Sequence, residues 1–106
     1  MGDCIHFHSF EGLAAKEFEK GIWIKFLSVG KVQLRHIEFE PGSLIPDHRH
    51  PEEVVTMILE GEMEMTVGGE TRRVRPGEVF LVPSNTDHSG RIFGGRVVAV
   101  SWSVIR

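Results

Sequence analysis

The chain has 106 residues, of which 41% are hydrophobic and 25% charged, a balance that fits one folded domain and excludes disordered, collagen-like and membrane-spanning classes. Twelve Lys and Arg against fifteen Asp and Glu leave a formal net charge of −3, which offers no footprint for nucleic acid or an anionic membrane surface. The single cysteine, Cys4, cannot form an intrachain disulfide, and no secretory pattern opens the chain, so a reducing cytoplasm is the expected location.

Twelve glycines and five prolines cut the sequence into segments of strand length, which favours an all-β fold. The exception is Gly12 to Gly21, where Ala, Lys, Glu and Leu suggest a short helical turn closed by Gly21. Residues 1–20 are therefore expected to form an N-terminal arm or helical turn ahead of a β-barrel domain over residues 21–106. Strands are expected at Ile22 to Leu27 and at Val32 to Glu40, where apolar and polar residues alternate before a Pro41-Gly42 turn. Val54 to Glu60 is the next, followed across Gly61 by the strict alternation of Glu62 to Val67. Gly68-Gly69 reads as a two-residue hairpin turn returning into Glu70 to Arg75, because a primed turn needs positive φ. Pro76-Gly77 turns into Glu78 to Val82, which Pro83 ends, and His88 to Phe93 and Arg96 to Ile105 complete the chain. The last is the longest apolar run and reads as a buried strand. About eight short strands at regular spacing make a sandwich or barrel.

The chemistry concentrates in the histidines. His48 and His50 stand two apart in Pro46-Asp47-His48-Arg49-His50-Pro51-Glu52-Glu53, so in extended chain their side chains leave one face together, as two ligands of one metal would. His88 follows the turn Pro83-Ser84-Asn85-Thr86-Asp87 and completes a three-nitrogen site if the two segments face each other. His6 and His8 repeat the two-residue spacing, but beside Ile5, Phe7 and Phe10 they read as an arm packing on the barrel or on a neighbouring subunit. His36 either faces the cavity or is a satisfied structural histidine. Asp47 is an exposed loop carboxylate, and Met57, Met63, Met65, Trp23 and Trp102 belong to the core, the barrel lining or a dimer interface.

At these residues the sequence resembles the cupins. Their first motif runs from a glycine through His-x-His and an acidic or amide residue to a second glycine, and Gly42, His48, His50 and Gly61 stand in those places. Their second is matched by Gly77, Pro83 and His88, with Asn85 where glycine is usual and Ile92 where the motif ends in asparagine. The resemblance covers roughly Gly21 to Val100 and implies a small double-sheet jelly-roll barrel with a metal near one mouth. The family's fourth ligand, Glu or Gln, falls here at Val54 or Val55, with Glu53 one place early as a substitute ligand or general base. Within the family, the chain looks most like the small pectin-degradation cupins, which linearise unsaturated uronate sugars.

The expected protein is then an enzyme with one divalent transition metal (Ni, Mn, Zn or Fe) on His48, His50 and His88. Its substrate is a small carboxylated sugar or keto acid, which it isomerises or ring-opens. Arg91 either binds the substrate carboxylate or is a solvated cation, and Glu53 or a metal-bound hydroxide serves as base. The alternatives are a three-histidine Fe(II) dioxygenase and a non-catalytic module that binds a sugar or other small molecule. The exposed sheet edges and apolar faces of so small a barrel point to a homodimer.

Overall fold

The computed structural model describes residues 6–105, which form ten β-strands and no helix. They are β1 (Lys16–Glu19), β2 (Ile22–Val29), β3 (Val32–Phe39), β4 (Leu44–His48), β5 (Val54–Glu60), β6 (Met63–Val67), β7 (Glu70–Val74), β8 (Val79–Val82), β9 (His88–Arg91) and β10 (Val97–Val104). All pairings are antiparallel, in a six-stranded sheet ordered β1-β2-β3-β10-β5-β8 and a four-stranded sheet ordered β4-β9-β6-β7. The two sheets face each other as a double-sheet jelly roll.

The apolar run that ends the chain becomes β10, central in the larger sheet between β3 and β5, where its branched side chains meet neighbours on both flanks. Between the sheets Ile22, Phe39, Ile58, Met63, Val74, Ile92, Val97 and Ala99 form one buried cluster. The Gly68-Gly69 turn forms as expected: both residues have positive φ, 56° and 84°, and Val67 pairs with Glu70.

The helical turn expected within residues 12–21 does not form. Lys16–Glu19 is instead an edge strand on β2, and Gly21, at φ 83°, turns the chain between them while Glu17 Oε2 accepts its N–H at 2.9 Å. A helix of so few residues has a costly nucleus, whereas the open edge of β2 offers ladder partners at once. β4 is a strand beyond those expected, and it contains Pro46, which a central strand would not accept. It is tolerated here since β4 lies at a sheet edge and its pairing with β9 shifts register between Ile45 and His48.

Ahead of β1 the arm packs on the outer face of the large sheet, with the Phe10 ring 5.7 Å from that of His36. His6 is exposed on this arm, and Cys4 lies outside the described residues. No helix among the described residues is long and apolar enough to cross a membrane.

Candidate metal centre

Three backbone segments bring the histidines together. His48 ends β4 and His88 begins β9, and the two are cross-strand partners. His50 follows in the bend after β4, which the loop between β8 and β9 fastens in place: the Asn85 N–H donates to the His50 carbonyl at 2.8 Å and Ser84 Oγ to the Pro51 carbonyl at 2.6 Å. Asn85 adopts φ 54°, a left-handed conformation that asparagine tolerates where the resembling family has glycine. Outside this turn, Arg49 grips Asp87 through a two-pronged contact, Nε to Oδ1 at 2.8 Å and Nη2 to Oδ2 at 3.0 Å. That contact ties the two motifs to each other, and it holds the Asp87 carboxyl below its ordinary range, first through the hydrogen bond from Arg49.

Each imidazole is oriented in the same way. Nδ1 of His48 bonds the Pro46 carbonyl at 2.7 Å, Nδ1 of His50 the Glu52 carbonyl at 2.9 Å and Nδ1 of His88 the Thr86 carbonyl at 2.9 Å. A carbonyl oxygen only accepts, so each Nδ1 carries the proton and each Nε2 keeps its lone pair. Such tethers are what fix the tautomer and ring orientation of metal-binding histidines. The ring centroids of His88 lie 4.1 Å from His48 and 4.8 Å from His50, and one nitrogen of each of the three lies within 4.8 Å of the others. Burial lowers the pKa of His88, a shift opposed by the Thr86 carbonyl and reinforced by His48 and His50, which favours the neutral, ligating form.

The donor set therefore fits a divalent transition metal held by three neutral nitrogens. No carboxylate joins this group among the described residues. The fourth-ligand position is Val54, which pairs with Val82 and, two residues before buried Thr56, faces the barrel interior; Val55 faces outward. A metal at this site would keep its full charge and open coordination positions.

The other expected site residues fall elsewhere. Glu53 is exposed on the bend before β5, where it lines a groove of about 720 Å³ with Gln33, Glu52, Ser84 and Ser103. Arg91 is not brought to the histidines. Three residues after His88 it has the opposite strand phase, and its guanidinium lies outside the barrel on Glu64, at 2.9 and 3.3 Å, and near the Phe93 ring. His36 likewise faces outward, against Phe10.

Arg35, the residue before His36 on β3, points inward. It stands opposite Ser101, itself opposite Thr56, and both partners are buried. The signal lay in β3 itself: its apolar residues occupy even positions at Val32 and Leu34, then odd ones at Ile37 and Phe39. In an unbulged strand that change of phase places Gln33 and Arg35 on the face that buries Ile37 and Phe39.

A match to the cupin domain family extends over residues 35–102, and the chain belongs to this family. It is 37% identical over 68 residues to germin-like protein subfamily 2 member 2 of Arabidopsis thaliana, covering 58% of this chain and 31% of the relative. Against oxalate oxidase GF-2.8 of Triticum aestivum it is 29% identical over 86 residues, 73% of this chain and 38% of the relative. The chain thus spans about a third of the length of these curated relatives. Among solved structures, KdgF from Halomonas sp. superposes with a TM-score of 0.75 at 24% identity, over 87% of this chain and 86% of that one, a likeness of fold.

Proposed function

We propose that the protein is a metal-dependent enzyme that isomerises or ring-opens a small carboxylated sugar or keto acid in the cytoplasm. The observation that carries this reading is the convergence of three imidazoles, each with Nδ1 tied to a carbonyl and no carboxylate among them. The substrate class rests on the sequence's resemblance to the small pectin-degradation cupins, and the superposition on KdgF adds a likeness of fold. A bound divalent metal would act as a Lewis acid on a carbonyl or hydroxyl oxygen. His48, His50 and His88 would hold it, and Glu53, exposed at the groove, or a metal-bound hydroxide would serve as base. Such a reaction needs no further cofactor.

The outer face of the large sheet supports pairing of two chains. Leu27, Leu34, Trp102, Val55 and Leu81 form one apolar row across five strands, with exposed Val79 and Val104 beside it. A second copy laid on this face would cover it.

The test is metal analysis by plasma mass spectrometry on untagged protein prepared without chelator, followed by turnover of an unsaturated uronate. About one equivalent of a transition metal per chain and loss of the uronate absorbance are expected. No metal retained, and none taken up when offered, overturns the reading. The similarity to oxalate oxidase GF-2.8 favours an oxygen-using enzyme as second reading; with Fe(II) on the three histidines, oxygen consumption with iron, and none with Ni or Zn, would establish it.

A further inference from the structure

Arg35 differs from the other described arginines. Arg49, Arg72, Arg73, Arg75, Arg91 and Arg96 are exposed and each has a carboxylate oxygen within 3.6 Å. Arg35, half-buried inside the barrel, has none within salt-bridge distance among the described residues. Its Nε donates to Ser101 Oγ at 2.8 Å, Nη1 to Gln33 Oε1 at 2.7 Å, and Nη1 and Nη2 share Ser103 Oγ at 3.3 Å. All three acceptors are neutral, and one Nη2 hydrogen is left without an acceptor among the described residues. Pairing is thus found where water already screens the charge and is missing where desolvation makes it costly. Burial pulls the Arg35 pKa down, partly opposed by the field of Glu52. A guanidinium nevertheless stays charged.

The location matters as much as the missing partner. Gln33 and Ser103, which hold the guanidinium, line the same groove as Pro51, Glu52 and Glu53, the bend that begins at His50. Glu52 bridges the two sites: its carboxylate lies 3.6 Å from His50 Nδ1, and its charge is felt at Arg35. Arg35 and the histidines therefore open on one end of the barrel, from opposite sheets. Three neutral side-chain oxygens hold the planar fork and leave it short of a counter-charge, which a carboxylate accepting the free Nη2 hydrogen would supply.

We propose that Arg35 binds the carboxylate of the ligand inside the barrel, and that the protein takes a small hydroxy- or oxo-acid whose oxygen-bearing carbons turn toward His48, His50 and His88. The second part rests on the reading of the metal centre given above; the first does not. Arg35 is then the group that distinguishes an acid from its uncharged analogue, the part the sequence suggested for Arg91.

The test uses calorimetric titration of metal-loaded and metal-stripped protein with pyruvate and D-glucuronate, and with their neutral counterparts pyruvamide and D-glucuronamide. In the wild type at least one acid should bind roughly tenfold or more tighter than its amide, the worth of hydrogen bonds to a charged partner. Arg35→Gln should bring acid and amide to parity while metal content stays unchanged. Arg35→Lys, which keeps the charge and loses the fork, should retain only part of the preference, and it decides the matter if Arg35→Gln does not fold. An acid preference that survives in Arg35→Gln, or a wild type with no preference for either acid, overturns the proposal. Wild-type protein that holds no metal overturns the metal-centre reading alone, since the acid and amide comparison on stripped protein still tests Arg35.

Discussion

The two ends of the barrel interior are built from the same strands and have opposite chemistry. On β10 the inward residues run Val97, Ala99, Ser101, Ser103; on β3, from the same end, they run Phe39, Ile37, Arg35, Gln33. β5 passes from Ile58 to Thr56, and β9, in the facing sheet, from Gly90 to His88. β10 and β3 thus carry an apolar half that closes the core and a polar half that lines the mouth, where Val54 of β5 is an apolar exception. The comparison teaches that the division between stability and function runs across the strands. Burial of apolar area at one end offsets the cost of holding imidazoles and a guanidinium half-desolvated at the other.

The sharpest way to break that comparison is one truncation at each end. Ile58→Ala removes a fully buried side chain from the cluster and should lower unfolding free energy by about 2–5 kcal/mol in a denaturant titration. Metal bound per folded chain should not change. His88→Ala should do the reverse, abolishing metal retention with a smaller loss of stability. If Ile58→Ala empties the metal site of folded protein, or His88→Ala keeps full occupancy, the two ends are not separable in this way.

A second variant probes the junction between them. Gly90 lies inward between His88 and Ile92, where an added Cβ would stand 2.9 Å from Met65 Sδ, 3.1 Å from Ile45 Cδ1 and 3.2 Å from Met63 Cε. Two of these are the ends of flexible methionines, so Gly90→Ala should cost about 1–3 kcal/mol by overpacking rather than prevent folding. A thermal melt equal to the wild type would show that this layer is looser than the packing implies.

The apolar end was the more legible in the sequence. β10 was evident from its branched run, and the Gly68-Gly69 turn from the requirement for positive φ, because both depend on local pattern. The three histidines were legible too, since spacing and motif order identify them without tertiary detail. Direction was what remained hidden. Arg91 and Arg35 are both arginines on strands near the site, but only pairing decides which faces the interior: the count from His88 sends Arg91 out, and the phase change in β3 brings Arg35 in. β1 and β4 were missed for a related reason, as edge strands pair on one side only, within their own sheet, and tolerate sequences that by themselves suggest a helix or a turn.

A smaller effect follows from the inward Val54. Val54→Glu puts a carboxylate where the family's fourth ligand falls, on the face shared with Thr56 and near His50 in sequence. Retention of metal against a chelator should tighten by roughly tenfold, the scale on which ligand-shell changes act, while turnover should fall as an open coordination position is filled. Turnover that rises instead would mean that the site is incomplete without a carboxylate, and that the three-nitrogen set is not the working one.

The smallest effect belongs to the contact between Arg49 and Asp87. Both side chains are more than half exposed, so the pair contributes little to global stability, and Asp87→Ala should leave the thermal midpoint nearly unchanged. Its consequence is local. Arg49 lies between His48 and His50, and Asp87 adjoins His88, so the contact holds the two ligand-bearing segments in register across the mouth. Without it their spacing rests on the β4–β9 pairing, the Asn85 N–H to the His50 carbonyl and Ser84 Oγ to the Pro51 carbonyl. Competition with a chelator at constant pH should then show a several-fold faster loss of metal from Asp87→Ala, and Asp87→Asn, which keeps an acceptor for Arg49, should recover part of it. An unchanged rate would place the whole task of alignment on the β4–β9 pairing and those two backbone-directed bonds.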